Sequence, residues 1–258
     1  MEYKYFTINI EDNIAFFTIN RPEVRNAMND DCWKELGMFI ETAEEDDDIK
    51  VIVISGAGEK AFISGADISV LQKRTGVESL RAISRKTLFK IEECRKPVIA
   101  AINGVAFGGG FEVALACDIR IVAENVKFGL PEANLGIIPG AGGTQRLSRL
   151  VGVGIAKEIA MAGRVIGAEE AVGLGMAMKC VPLDKLKDEA ISVAKVMLKK
   201  GPVALELCKK SINASMYTDL HTGIQLEALA FCVAVETEDK VEGTSAFLEK
   251  RPAEFMGK

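Results

Sequence analysis

Two runs of consecutive apolar residues, Val51-Ile52-Val53-Ile54 and Pro97-Val98-Ile99-Ala100-Ala101-Ile102, show no alternation with polar side chains. A strand with one wet face alternates, whereas an unbroken Val/Ile/Ala run marks a strand covered on both faces. Covering both faces takes helices above and below the sheet, so the sequence predicts a layered α/β core rather than an open antiparallel sheet. A chain of 258 residues has the material to bury such a core.

Elsewhere the periodicity changes in register with this reading. Tyr5 to Ile10 and Ile14 to Asn20 alternate around Glu11-Asp12-Asn13, as a β-hairpin does. From Asn29 to about Glu45, Trp33, Leu36, Phe39 and Ile40 recur at helical spacing, with Asn29 or Asp30 placed to cap the start. The Pro97 to Gly104 strand runs into Gly108-Gly109-Gly110, then a helix-like Phe111 to Cys117, then a strand over Asp118 to Ala123, a ββα-type repetition. After about Val203 no further strand is predicted. Gly201-Pro202 breaks the chain, and Val203 to Ala214, His221 to Val235 and Lys240 to Glu249 are helical in pattern. The expected organisation is a core over 1–200 and a helical segment over 201–258, too thin for a core of its own and suited to packing on the main body or on another subunit.

Composition removes several functions. Lys and Arg number 32 against 37 Asp and Glu, a net charge of −5, which argues against nucleic acid as the main partner. The six cysteines are scattered without close pairing, so no zinc knuckle or redox Cys-x-x-Cys is present, and reduced, mostly packed thiols are expected. One histidine, His221, and dispersed cysteines leave no metal set, and Glu44-Glu45-Asp46-Asp47-Asp48 resembles a solvated helix end. His221 also lies far from any glycine-flanked serine, which leaves a Ser/His/Asp or Cys/His relay without parts. Met1-Glu2-Tyr3-Lys4-Tyr5 opens into strand-like sequence without a leader, and no apolar run reaches the roughly 20 residues of a bilayer span, so a cytoplasmic protein without a membrane segment is expected.

Chemistry is expected at two carboxylates set among glycines and apolar residues: Glu112, behind Gly108-Gly109-Gly110-Phe111, and Glu132, behind Gly129-Leu130-Pro131. Taken singly, the glycines mean tight strand-to-helix packing, Glu112 favours a helix macrodipole, and Glu132 opens a turn. Taken together, a desolvated carboxylate pair splits into a proton acceptor and a proton donor near neutral pH. Lys60-Ala61-Phe62-Ile63-Ser64-Gly65-Ala66-Asp67, which follows a strand and precedes a helix, offers peptide N–H groups to an oxyanion, as does the glycine run. Gly136 to Arg146 is a glycine-dense loop that leads into a helix near Thr144 and shapes a small polar pocket.

The motifs Lys60 to Asp67, Asn103 to Glu112 and Pro131 to Gly140, in that order and spacing, resemble the crotonase superfamily and within it the enoyl-CoA hydratases, over a stretch from about Tyr5 to the C-terminus. The resemblance implies a spiral of ββα units with a helical C-terminal segment, assembled as trimers or dimers of trimers. It implies an oxyanion hole from the backbone N–H groups of Ala66 and Gly109, a catalytic pair of Glu112 as base and Glu132 as acid, and a water held by the Gly140 N–H. Coenzyme A, as part of the acyl-CoA thioester substrate and with no separate cofactor, would lie along Arg25, Asn26 and Ala27, near Lys60, and along Ala66, Asp67 and Ile68. Phe247 and Lys250 would reach it, from the same subunit or, as the resemblance allows, from a neighbouring one. Relatives that only move a double bond often lack a carboxylate at the Glu112 position, so the pair favours hydration over isomerisation, and a non-catalytic RNA-binding relative is disfavoured. Two departures stand out: Ser69 replaces a frequent phosphate-binding lysine, for which Lys60, Arg25 or Lys73 are candidate replacements, and Leu130 and Phe111 differ from common residues in ways that bear on acyl-chain preference.

Overall fold

The computed structural model describes residues 3–258; Met1 and Glu2, the first residues of the expected leaderless start, lie outside it. The hairpin forms from β1 (Phe6–Glu11) and β2 (Ile14–Ile19), paired antiparallel with Phe6 opposite Ile19. Its turn takes Asp12 and Asn13 at φ 50 and 62, left-handed values that these residue types tolerate. Helix α1 (Asp30–Glu45) starts where Asn29 accepts a hydrogen bond from the Cys32 N–H at 2.8 Å, and it buries Trp33, Leu36, Phe39 and Ile40, the stripe seen in the sequence.

The next three units repeat one plan. Strands β3 (Val51–Gly56) and β4 (Ala61–Ile63) precede α2 (Ile68–Leu71), α3 (Gly76–Leu80) and α4 (Ile83–Glu93). Strands β5 (Val98–Ile102) and β6 (Val105–Phe107) precede α5 (Gly109–Ala116), and β7 (Ile119–Ala123) and β8 (Lys127–Gly129) precede α6 (Gly143–Met161), whose helix is interrupted at Gly152. In each unit the first strand joins one sheet and the second joins another. After β9 (Ile166–Gly167), α7 (Ala168–Gly173) and β10 (Lys179–Val181), the large sheet has the order β1-β2-β3-β5-β7-β10 and the small one β4-β6-β8-β9. All pairs of the large sheet beyond the hairpin are parallel, and β3 and β5 are buried nearly throughout, as their unbroken apolar runs require.

Two buried asparagines brace the turn between β3 and β4. Asn26 accepts from the Arg21 N–H at 3.0 Å and donates to the carbonyls of Ala57 and Ala61, while Asn103 accepts from the Gly56 N–H and donates to Gly58 and Ala61. In the apolar interior these amides complete the hydrogen bonds that the irregular turn leaves open.

Four helices close the chain: α8 (Leu186–Met197), which the sequence pattern did not single out, then α9 (Pro202–Ala214), α10 (Leu220–Val235) and α11 (Glu238–Glu249). Of these, α9 is tied to the core by Lys209, whose ammonium donates to the carbonyls of Ile91 and Lys96 and to Asp118 Oδ2 at 2.9 Å. Among the described residues no helix is long and apolar enough to cross a membrane.

Candidate active site

Strands β4, β6 and β8 lie side by side and parallel, with Ile63 opposite Ala106 and Phe107 opposite Gly129. Their C-terminal ends therefore share one edge, and the segments leaving them, Ser64 to Asp67, Gly108 to Gly110 and Leu130 to Glu132, emerge together. Such an edge is where layered α/β proteins receive ligands.

Glycine allows the close approach. Gly108 has φ 52 and ψ −124, a backbone state that side chains disfavour, and a Cβ there would lie 3.0 Å from Glu132 Oε1 and 3.9 Å from the Gly65 Cα. A Cβ on Gly110 would lie 2.1 Å from the Ile63 carbonyl oxygen, so α5 can start this near β4 only with glycine. Gly109 is the first residue of α5, where the amide has no carbonyl one turn back to donate to. Among the described residues neither the Gly109 N–H nor the Ala66 N–H donates a hydrogen bond. Ala66 is flanked by residues paired to Met28: the Met28 N–H donates to Gly65 and the Asp67 N–H to Met28, both at 2.9 Å. Two unspent amides thus stand on adjoining loops, one at the positive end of a helix.

Glu112, in the first turn of α5, is 3% exposed. Its Oε1 accepts hydrogen bonds from the Ala141 N–H at 2.8 Å and the Gly143 N–H at 2.7 Å. Among the described residues its Oε2 accepts none. Burial raises the Glu112 pKa, while the Gly143 and Ala141 amides and the charge of Arg146 oppose the rise. The carboxylate is held as an acceptor of fixed orientation, with one oxygen left over. A Cβ on Gly143 would press within 3.1 Å of Glu112, so glycine keeps this approach uncrowded.

Glu132 is in the opposite condition. It sits in the 3-10 turn Pro131–Leu135 after β8, over Gly108, and its Oε2 is buried without a hydrogen-bond partner. Burial pushes its carboxyl up to about 7, its own backbone N–H offsets part of that, and the nearby negative Glu112 adds to it. Of two glutamates, one is pinned by amides and one is unanchored and ready to be protonated at neutral pH.

The remaining expected site residues divide. Arg25 and Ala27 flank the loop, where the Ser64 N–H donates to the Arg25 carbonyl at 3.1 Å. Asn26 adjoins it too, but the residue is fully buried and its side chain is spent on the β3–β4 turn. Asp67 caps α2 through the Ser69 N–H and hydroxyl, Ile68 is exposed beside it, and Lys60 is exposed at the start of β4. Gly140 is exposed, and its N–H donates no hydrogen bond among the described residues; Ala141 and Gly143, on either side of Gly142, are the residues that grip Glu112. Phe247 is 82% exposed on α11, and no hydrogen bond or ion pair among the described residues links it or Lys250 to the 25–27 or 64–68 segments. Phe111 and Leu130 are both buried, and Phe111 packs on Phe128 with ring centroids 4.8 Å apart, so it belongs to the core rather than to a pocket wall. The sequence reading passed over the Ala141 and Gly143 amides, although the glycine density of their loop was the available signal, and it passed over Arg146. An 800 Å³ cavity opens beside this loop between α4, α6, α9 and α10, walled by Phe89, Leu207, Leu226 and Ala230.

Comparison with known proteins defines the class. The chain belongs to the enoyl-CoA hydratase/isomerase family, whose profile matches residues 9–258. It is 42% identical to a crotonyl-CoA hydratase of Syntrophomonas wolfei subsp. wolfei over the whole of both chains. It is also 42% identical to a short-chain-enoyl-CoA hydratase of Clostridium acetobutylicum, covering 98% of each. The crystal structure of an enoyl-CoA hydratase from Bacillus anthracis superposes with a TM-score of 0.94 at 40% identity, covering 99% of this chain and 100% of that one. The two-sheet spiral with its helical end is the crotonase fold.

Proposed function

We propose that the chain is an enoyl-CoA hydratase, adding water across the 2,3 double bond of a 2-trans-enoyl-CoA to give a 3-hydroxyacyl-CoA, or running the reverse dehydration. One observation carries this reading: two glutamates in unlike environments share a glycine-lined edge with two unspent backbone amides. The full-length relatives named as hydratases support the same reaction.

In this mechanism the Ala66 and Gly109 N–H groups hold the thioester oxygen. Glu112, as carboxylate, takes a proton from a water positioned with the help of the Gly140 N–H, and the water oxygen bonds to C3. The electron pair of the double bond moves toward the thioester oxygen, where fixed amides and the α5 N-terminus stabilise the enolate-like charge; losing one such donor costs about 3 kcal/mol. Protonated Glu132 then delivers its proton to C2, and transfer from Glu112 to Glu132 resets the pair. The coupled carboxylates titrate as a pair, and the unlike hydrogen bonding gives each its role.

The coenzyme A portion is proposed to follow Arg25, Ala27, Lys60, Asp67 and Ile68, with the buried Asn26 bracing the loop from behind. Lys73, which faces a 620 Å³ cleft together with Ser69, Lys34 and Arg81, is the proposed replacement for the lysine that Ser69 displaces. Phe247 and Lys250 are proposed to serve a neighbouring subunit's site. The exposed Leu220, Leu229, Phe231, Phe247 and Leu248 on α10 and α11 support packing against other subunits, which we propose form a homotrimer or dimer of trimers; the cytoplasm is the proposed location. The reaction as proposed needs no cofactor beyond the coenzyme A of its substrate.

Crotonyl-CoA tests the reading directly. Hydration removes the ultraviolet absorbance of the conjugated thioester and yields 3-hydroxybutyryl-CoA; absence of turnover refutes the proposal, and a product with a shifted double bond makes the chain an isomerase.

A further inference from the structure

Arg146 lies one turn into α6 and is 9% exposed, a placement that costs a guanidinium its hydration. All its polar reach is spent inside the protein. Nε and Nη2 donate to the two carboxylate oxygens of Glu92 on α4 at 2.6 and 2.7 Å, and Nη1 donates to the Ala141 carbonyl at 2.7 Å. Ala141 is therefore gripped at both ends, with its N–H on Glu112 and its C=O on Arg146. The guanidinium also lies across Gly142, where φ is 109 and a Cβ would stand 2.1 Å from Nη1, so the loop conformation and the arginine require each other. A buried ion pair is weak evidence of stabilisation, since desolvation offsets most of its attraction. A bidentate fork with a third bond is, however, a device of fixed geometry.

We infer that Arg146, itself oriented by Glu92, is a positioning residue that sets the Ala141 to Gly143 loop so that its amides hold Glu112 in line with the attacking water. The inference rests on the hydratase reading. It explains an arrangement that the direct contacts of the reaction leave unused: neither Arg146 nor Glu92 touches the reacting atoms, yet one carbonyl links them to the group that does. The charged groups gathered around Glu112 are Arg146 from α6, Glu132 from the turn after β8, and Glu92 from α4 behind the guanidinium.

The test uses the full chain with crotonyl-CoA as substrate and saturated butyryl-CoA as binding probe. Arg146→Met is expected to lower kcat by about 10²-fold, with KM and the butyryl-CoA Kd within about threefold of the parent, because a misplaced acceptor costs rate rather than affinity. In a Glu112→Gln background the same substitution is expected to change the residual rate by less than about threefold, since groups acting through one another are not additive. Should Arg146→Met fail to fold by circular dichroism, Arg146→Lys takes its place. It keeps the charge but cannot bridge Glu92 and the carbonyl together, and is expected to lose about tenfold in kcat with KM again unchanged. An active parent whose folded Arg146 variant keeps kcat within about threefold overturns the inference alone, as does a rate loss that multiplies with Glu112→Gln. A parent inert toward crotonyl-CoA overturns the hydratase reading and this inference with it.

Discussion

Replacing Glu132 by glutamine should trade activity for stability, and the stability side can be worked from the site. The carboxyl is pushed from 4.5 to about 7 in the folded protein, chiefly by burial. Between those values the folded chain holds a proton that the unfolded chain has released, so stability falls as pH rises through this window. Below about 4.5 both states are protonated and no penalty exists; above about 7 it is complete. A gap of about 2.5 in pKa at 1.36 kcal/mol per unit gives roughly 3.4 kcal/mol as a ceiling. Because the residue is only partly buried and solvent screens it, about 1–2 kcal/mol is the expected size. The assay is urea denaturation of parent and Glu132→Gln at pH 5 and pH 8. The quantity of interest is how much the variant's advantage grows between them, since any cost of burying the amide cancels in that difference. Growth of about 1–2 kcal/mol is expected, together with a loss of turnover of about 10³-fold. A variant whose relative stability is the same at both pH values, or that keeps near-parent turnover, refutes the reasoning.

Glu112→Gln is expected to lose about 10²–10⁴-fold in kcat while still binding butyryl-CoA, as isothermal calorimetry would register. Gly108→Ala puts a side chain into a backbone state it disfavours and against Glu132 Oε1, and should cost about 1–3 kcal/mol of unfolding free energy in urea denaturation along with most of the turnover. Gly109→Pro removes one oxyanion donor, and kcat/KM should fall about 10²-fold in protein whose circular dichroism matches the parent. Lys209→Met leaves the part-buried carboxylate of Asp118 with the Val98 N–H but without its ion-pair partner, and should lower unfolding free energy by about 1–3 kcal/mol.

Much of the fold was legible where a period has room to repeat. The β1–β2 hairpin, the Trp33-Leu36-Phe39-Ile40 stripe of α1 and the unbroken strands β3 and β5 all declare themselves, and the Asn29 cap is where the sequence puts it. The small sheet does not: β4, β6 and β8 have three residues each, too short to carry a period, and only their pairing reveals them. In the site, glycines around an acidic residue pointed to Glu112 and Glu132. The amides that hold Glu112, those of Ala141 and Gly143, were harder to find, because a backbone N–H has no letter in a sequence. Asn26 illustrates the converse, a polar letter beside a ligand loop whose side chain braces the scaffold. Arg146 was invisible because an arginine early in a helix ordinarily points to water.

The Lys209 ammonium does more than fasten α9. It neutralises an acid set between α5 and β7 and satisfies the Ile91 carbonyl near the end of α4, the helix that also carries Glu92, and the Lys96 carbonyl beyond it. A chain cut after Lys200 would therefore keep every reacting group and still lose its integrity, with the Asp118 carboxylate left to the Val98 N–H. The same logic limits recombination among relatives: a helical tail borrowed from another member is compatible only if it brings a cation to that one spot, which makes the tail a keystone rather than an interchangeable module.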